Sequence, residues 1–147
     1  MKKIFVIMLT ILTFSLIATG CTKSKSYTFK VETGDNVKVT LKTNDDYNIT
    51  SDLPFKISKG DDVLSQGSFV TLDGYNQYLN AAKNDSNAKI IATDNKNGLE
   101  YTFYSYDDKE YNYVIKISDS NTGLLLANNV SEESAKECFS RLTITKE

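Results

Sequence analysis

Residues 99–118 read LEYTFYSYDDKEYNYVIKIS. Two runs of aromatic and β-branched residues flank Asp107-Asp108-Lys109, the pattern of a hairpin. Pairing Tyr106 with Glu110 sets the register by hand. It places Tyr104 opposite Asn112, Thr102 opposite Val114 and Glu100 opposite Lys116. On the other face Phe103 meets Tyr113, Tyr101 meets Ile115 and Leu99 meets Ile117. That second face is wholly apolar and aromatic, whereas the first carries a favourable charge pair. A one-residue slip would mix the two.

Immediately upstream, Lys89–Thr93 runs toward Asn97-Gly98, the strongest two-residue hairpin signal. A two-residue turn there predicts Ile91 beside Tyr104. The sheet then has apolar residues on both faces and needs cover on each.

Two amphipathic helices supply that cover. In Ser131–Leu142, the residues Ala135, Cys138, Phe139 and Leu142 fall at i, i+3, i+4 and i+7, one helical face. Ser131 is a good N-cap, and Glu132 and Glu133 suit the positive end of the helix dipole. A second helix is predicted from Asp73, its N-cap, to Lys83, with Tyr75, Tyr78, Leu79 and Ala82 as its stripe. Other strands read as Tyr27–Val31, Val37–Leu41, Tyr47–Thr50, Phe55–Ser58, Val63–Val70 and Thr143-Ile144, with turns at Thr33–Asn36, Lys59–Asp62 and Asp119–Gly123. The fold class is therefore α+β: an antiparallel sheet built of hairpins with two amphipathic helices, arranged as an α/β/α sandwich.

The N-terminus reads differently. Lys2-Lys3 precede a run from Ile4 to Ala18 that is apolar apart from Thr10, Thr13 and Ser15. The run is shorter than the roughly 20 residues a spanning helix needs and has the form of a secretory signal. It ends in Ile17-Ala18-Thr19-Gly20-Cys21. This stretch resembles the lipobox of bacterial lipoproteins, although Ala18 stands where Leu is usual. The resemblance implies cleavage before Cys21 and diacylation of its sulfur, with palmitate or a similar chain. The division expected is residues 1–20 as signal peptide, 21–26 as lipidated cysteine and tether, and 27–147 as one globular domain. Five tether residues reach at most about 17 Å, so the domain sits near the bilayer, where Lys23 and Lys25 attract anionic head groups or simply keep the tether soluble.

Composition bounds the chemistry. Without residues 1–20 the chain carries fifteen basic and nineteen acidic groups. It has no basic block, so nucleic acid is excluded as a partner. Arg141 is the only arginine and Asn is abundant, pointing to an AT-rich genome and a Gram-positive cell. There is no histidine, which removes His-dependent triads and His-ligated zinc. No phosphate loop or dinucleotide fingerprint is present. Thr93–Tyr104 has Asn95, Asn97 and Gly98 at the spacing of a calcium loop, but Thr and Tyr occupy the positions that require Asp and Glu. With Cys21 lipidated, Cys138 has no partner and reads as a small core residue. The acidic pairs Asp45-Asp46, Asp61-Asp62 and Asp107-Asp108 each fall at a turn.

The order of hairpins, helix, hairpins, then a terminal Ser-Glu-Glu-Ser-Ala helix with Phe139 and a short strand at Thr143-Ile144 resembles the PsbP-type α/β/α sandwich. That resemblance spans Tyr27 to Ile144 and implies an accessory or protein-interaction role, with no site residue to carry over. The expected function is a cell-surface lipoprotein on the extracytoplasmic face of the membrane, acting as a non-catalytic binding module for a protein, peptide or glycan. The alternative is a structural or protective envelope lipoprotein, and an enzyme using carboxylates stands behind both. No cofactor, metal or catalytic residue is assigned. Tyr104 and Tyr106 are the hypothetical contact pair, phenols near Asp107 and Asp108.

Overall fold

The structure, a computed structural model, describes residues 22–147. In chain order the elements are β1 (Ser24–Lys30), β2 (Asn36–Lys42), a single 3-10 turn (Asn44–Asp46), β3 (Tyr47–Ile49), β4 (Phe55–Lys59), β5 (Asp62–Thr71), α1 (Leu72–Asn84), β6 (Ala88–Lys96), β7 (Leu99–Tyr106), β8 (Glu110–Lys116), β9 (Thr122–Asn128), α2 (Glu132–Ser140) and β10 (Leu142–Lys146). The α+β class holds, and every described strand pairing is antiparallel. The strands divide into two sheets: β1-β2-β10, and a seven-stranded sheet in the order β3-β4-β5-β9-β8-β7-β6.

The β7–β8 ladder runs from Tyr106–Glu110 to Glu100–Lys116 in the register read from the sequence. Asn97 and Gly98 both take positive φ, 51° and 81°, as a primed two-residue turn demands. The β6–β7 pairing departs from the expectation at one place. A bulge between Ile90 and Ala92 puts Ile90, not Ile91, opposite Tyr104. Ile91 turns instead to pack on the main core. Bulges of this kind twist an edge strand away from straight pairing, and β6 is such an edge.

The central strand β9 has no alternating pattern to announce it. Gly123-Leu124-Leu125-Leu126-Ala127 lies between β5 and β8, with apolar residues serving both faces. Leu124 and Leu126 enter the main core, and Leu125 packs on the opposite side. A strand covered on both faces loses the period-2 signal.

The main core lies between one face of the large sheet and a second layer formed by the small sheet and α2. Phe103, Tyr113, Ile115, Leu124 and Leu126 from below meet Val37, Val39, Leu41, Ile144, Cys138 and Phe139 from above. The rings of Phe103, Tyr113 and Phe139 stack in sequence, at centroid spacings of 4.2 and 4.1 Å. The other face carries α1 over a smaller cluster of Tyr75, Ala82, Tyr104 and Val114. Close approach there needs Gly123, because a Cβ on it would lie 3.0 Å from the Cβ of Tyr75 and 3.1 Å from Val70.

Three boundaries differ from the sequence reading. Helix α2 ends at Ser140, and Leu142, expected on its apolar stripe, opens β10 and reaches the core from the small sheet instead. Thr71, not Asp73, caps α1, its hydroxyl accepting from the Gly74 amide at 3.1 Å. Asp73 lies in the first turn, where a carboxylate still suits the dipole. The first strand begins at Ser24, inside the segment expected as tether, because Ser24, Lys25 and Ser26 pair with Lys42, Leu41 and Thr40. Ser131 caps α2 as expected, accepting from the Ser134 amide.

Candidate functional site

Residues 1–20 and Cys21, the expected lipidation site, lie outside the described residues. The described chain next to it is firmly held. The Lys23 amide donates to Asn44 Oδ1 at 3.2 Å, and the Lys23 carbonyl accepts from the Thr43 amide at 2.9 Å. Arg141 secures that turn. Its guanidinium donates to the Asn44 carbonyl, Asp45 Oδ2 and Glu137 Oε1 at 2.8 to 2.9 Å, and lies 3.9 Å from the Tyr47 ring centroid. The planar fork and stacking surface explain why arginine occupies this place in a lysine-rich chain. Two residues intervene between Cys21 and the first strand residue, Ser24, a reach of at most about 10 Å.

The structure places the two tyrosines of the expected contact pair differently. Tyr104 is 7% exposed and sits in the cluster beneath α1. Burial pushes its phenol above the ordinary tyrosine value. It is therefore a core residue in this conformation, because α1 covers the face that the hairpin alone would leave open. Tyr106 is half-buried against the same cluster. Tyr78 and Ile90, at 40% and 46% exposure, are more open apolar residues than either.

Two of the three acidic pairs have a backbone explanation; at the third, Asp61-Asp62, Gly60 supplies the positive φ. Asp45, Asp46, Asp107 and Asp108 all take positive φ, between 53° and 66°. Asp and Asn tolerate that left-handed region better than most residues. Asp45 pairs with Arg141, and Asp108 pairs with Lys89 at 3.0 Å. Among the described residues no group of three or more His, Cys, Asp or Glu is arranged to hold a metal ion.

Cys138 is fully buried, and burial pushes its thiol above the usual value. It shares a polar pocket inside the core with Ser65 and Ser134, both of which accept from the Asn128 amide group at 2.9 and 3.0 Å. The Asn128 carbonyl oxygen accepts from the Val130 and Ser131 amides, fixing the entry to α2. This network satisfies the polar groups around Cys138, and burial disfavours its thiolate.

Two surface features were not legible in the sequence. The first is a groove of about 330 Å³ between the β1–β2 turn, Leu53-Pro54 and the end of β5. Phe69 lines it, backed by Phe29 and Phe55 at centroid distances of 5.5 and 6.0 Å. The far end of the Phe55 ring packs against Gly67, where a Cβ would meet it at 2.1 Å. The second is a lock between the two sheets. Asp35 Oδ2 accepts from the Thr122 hydroxyl and the Asn121 amide, both at 2.9 Å, and Oδ1 pairs with Lys146 at 3.2 Å. The Thr122 hydroxyl bond above all, then the Asn121 amide and Lys146, hold the Asp35 carboxyl below the ordinary carboxylate range against the opposing effect of burial.

Comparison with known protein families, curated proteins and solved structures finds no match to this chain. No helix among the described residues is long and apolar enough to cross a membrane.

Proposed function

We propose that this protein is a lipid-anchored accessory module on the outer face of a bacterial membrane, which binds a protein, peptide or glycan without catalysis. The observation that carries the reading is the junction at Cys21. An apolar run too short to span ends in Ile17-Ala18-Thr19-Gly20-Cys21, and a pinned strand begins three residues later at Ser24. A diacylated cysteine at that point supplies two acyl chains, enough for stable anchoring where one is marginal. The non-catalytic part of the reading draws support from the buried thiol of Cys138 and from the two acidic pairs, Asp45-Asp46 and Asp107-Asp108, that serve turn geometry.

In fold terms the proposal extends to a PsbP-type α/β/α sandwich. Its support is element order, with α1 over one face of the large sheet and α2 over the other. The small sheet beside α2 is an addition to that plan.

The test is crosslinking and capture from intact cells, comparing wild type with Cys21→Ser. The wild-type protein is expected in the detergent phase, with partners crosslinked from the same fraction, and the variant in the aqueous phase or shed. Wild-type protein in the aqueous phase would remove the anchor from the proposal.

A further inference from the structure

The charge of the chain is unevenly placed. Residues 22–147 carry fifteen basic and nineteen acidic groups. The three strands of the small sheet contain Lys25, Lys30, Lys38, Lys42 and Lys146 and no Asp or Glu. That leaves ten basic groups against nineteen acidic ones in the rest of the domain.

Strand alternation sorts these lysines by face. Val37, Val39, Leu41, Leu142 and Ile144 point into the core. The opposite positions carry Lys30, Lys38 and Lys42, interspersed with Ser24, Ser26, Thr28, Asn36, Thr40, Thr143 and Thr145. All are exposed except Thr40, which is partly so. The face has no apolar side chain. Its hydroxyls are ordered across the strands, Ser26 to Thr40 at 2.7 Å, and Glu147, just beyond β10, accepts from Thr28 at 3.0 Å and lies 3.9 Å from Lys38, so Lys30 and Lys42 carry the net positive charge of the face. The sheet is three strands wide and seven residues long in β1, so the face measures roughly 10 by 20 Å.

β1, the strand that continues from Cys21, forms one edge of this face. With only Thr22 and Lys23 between the cysteine and the strand, a lipid on Cys21 holds the start of the sheet within about 10 Å of the head groups. We propose that the outer face of the small sheet lies against the anionic bilayer that holds the lipid anchor, with Lys30, Lys38 and Lys42 contacting lipid phosphates. The inference rests on lipidation of Cys21 and adds an orientation to it. A flat polar face with lysines suits the head-group layer, since it presents cations and hydroxyls to phosphate and buries nothing in the acyl region. The acidic remainder of the domain, repelled by the same surface, is turned away from the membrane, with α1 on the far side of the large sheet. Each lysine near such a surface strengthens partitioning about fivefold; with Glu147 offsetting Lys38, the face as a whole gains roughly twenty-five-fold.

The experiment uses the full lipidated protein on vesicles of phosphatidylglycerol mixed with phosphatidylcholine, and on phosphatidylcholine alone. A water-soluble acetylating reagent labels the lysines, and peptide mass spectrometry reads each site, including the mass of the Cys21 peptide. On the mixed vesicles Lys30, Lys38 and Lys42 are expected to label at least about fivefold more slowly than in detergent. Lys83 on α1 and Lys109 in the β7–β8 turn should be unchanged. The protection should vanish on neutral vesicles and in high salt. A Cys21 peptide without lipid would sink the anchoring itself. A lipidated, vesicle-bound protein whose three lysines label as fast as Lys83, or are equally protected on neutral lipid, would overturn the orientation alone.

Discussion

The two faces of the seven-stranded sheet are covered in different ways. On one, the small sheet and α2 enclose a cluster of twenty-one buried residues. On the other, α1 alone covers a cluster of four, and Tyr78 and Ile90 stay open at 40% and 46% exposure. The contrast teaches that the fold is specified from the first face, and that α1 is a lid of modest depth. Shallow cover predicts local opening at lower free energy than global unfolding, so α1 amides should exchange with solvent faster than those of β8 and β9.

Paired truncations test that contrast. Phe103→Ala, on the main-core face and stacked on Tyr113, should destabilise by about 4 kcal/mol in chemical denaturation. Its neighbour Tyr104→Ala, one residue along and on the α1 face, should destabilise by about 2 kcal/mol, because α1 can settle into the space. Equal losses at the two positions would break the comparison. Cys138→Ala, small to smaller within the main core, should reduce stability by on the order of 1 kcal/mol. The native thiol should resist alkylation until the protein unfolds.

Asp35 sharpens the comparison by pH, since it ties the small sheet to the β8–β9 turn on the main-core side. Its folded carboxyl titrates below the ordinary value. Its contribution is therefore present above the unfolded pKa, near 4, and is lost as the pH falls through the lower folded value. Wild type should exceed Asp35→Asn in thermal midpoint at neutral pH, and the gap should close as the solution is acidified below about pH 4. A gap independent of pH would remove the carboxylate from the lock. Tyr106→Ala, half-buried at the rim of the α1 face, should destabilise by no more than about 1 kcal/mol. Crosslinked partner capture from intact cells then measures whether its ring contributes to binding.

How much of this was legible in the sequence follows from what each residue had to satisfy. The β7–β8 register was readable because one face is aromatic and a slip exposes it. The Asn97-Gly98 turn and the Ser131 cap were readable because local chemistry decides them. Strand β9 was hidden because Leu124-Leu125-Leu126 serves two faces at once and so has no period. The bulge at Ile91 and the partition into two sheets depend on edges and layer packing, which alternation alone does not encode. The hairpin displayed Tyr104, but only its placement under α1, a helix distant in sequence, decides its burial. Conversely Cys21 lies outside the described residues, and its reading comes from the sequence alone.

We propose that this domain is held to a membrane through Cys21. The most direct measurement is the mass of the mature N-terminal peptide from protein isolated from membranes. A lipid-anchored protein begins at Cys21 and carries a diacylglyceryl group on sulfur, absent from a Cys21→Ser variant. A mature chain that begins elsewhere, or one whose Cys21 thiol is free, would contradict it.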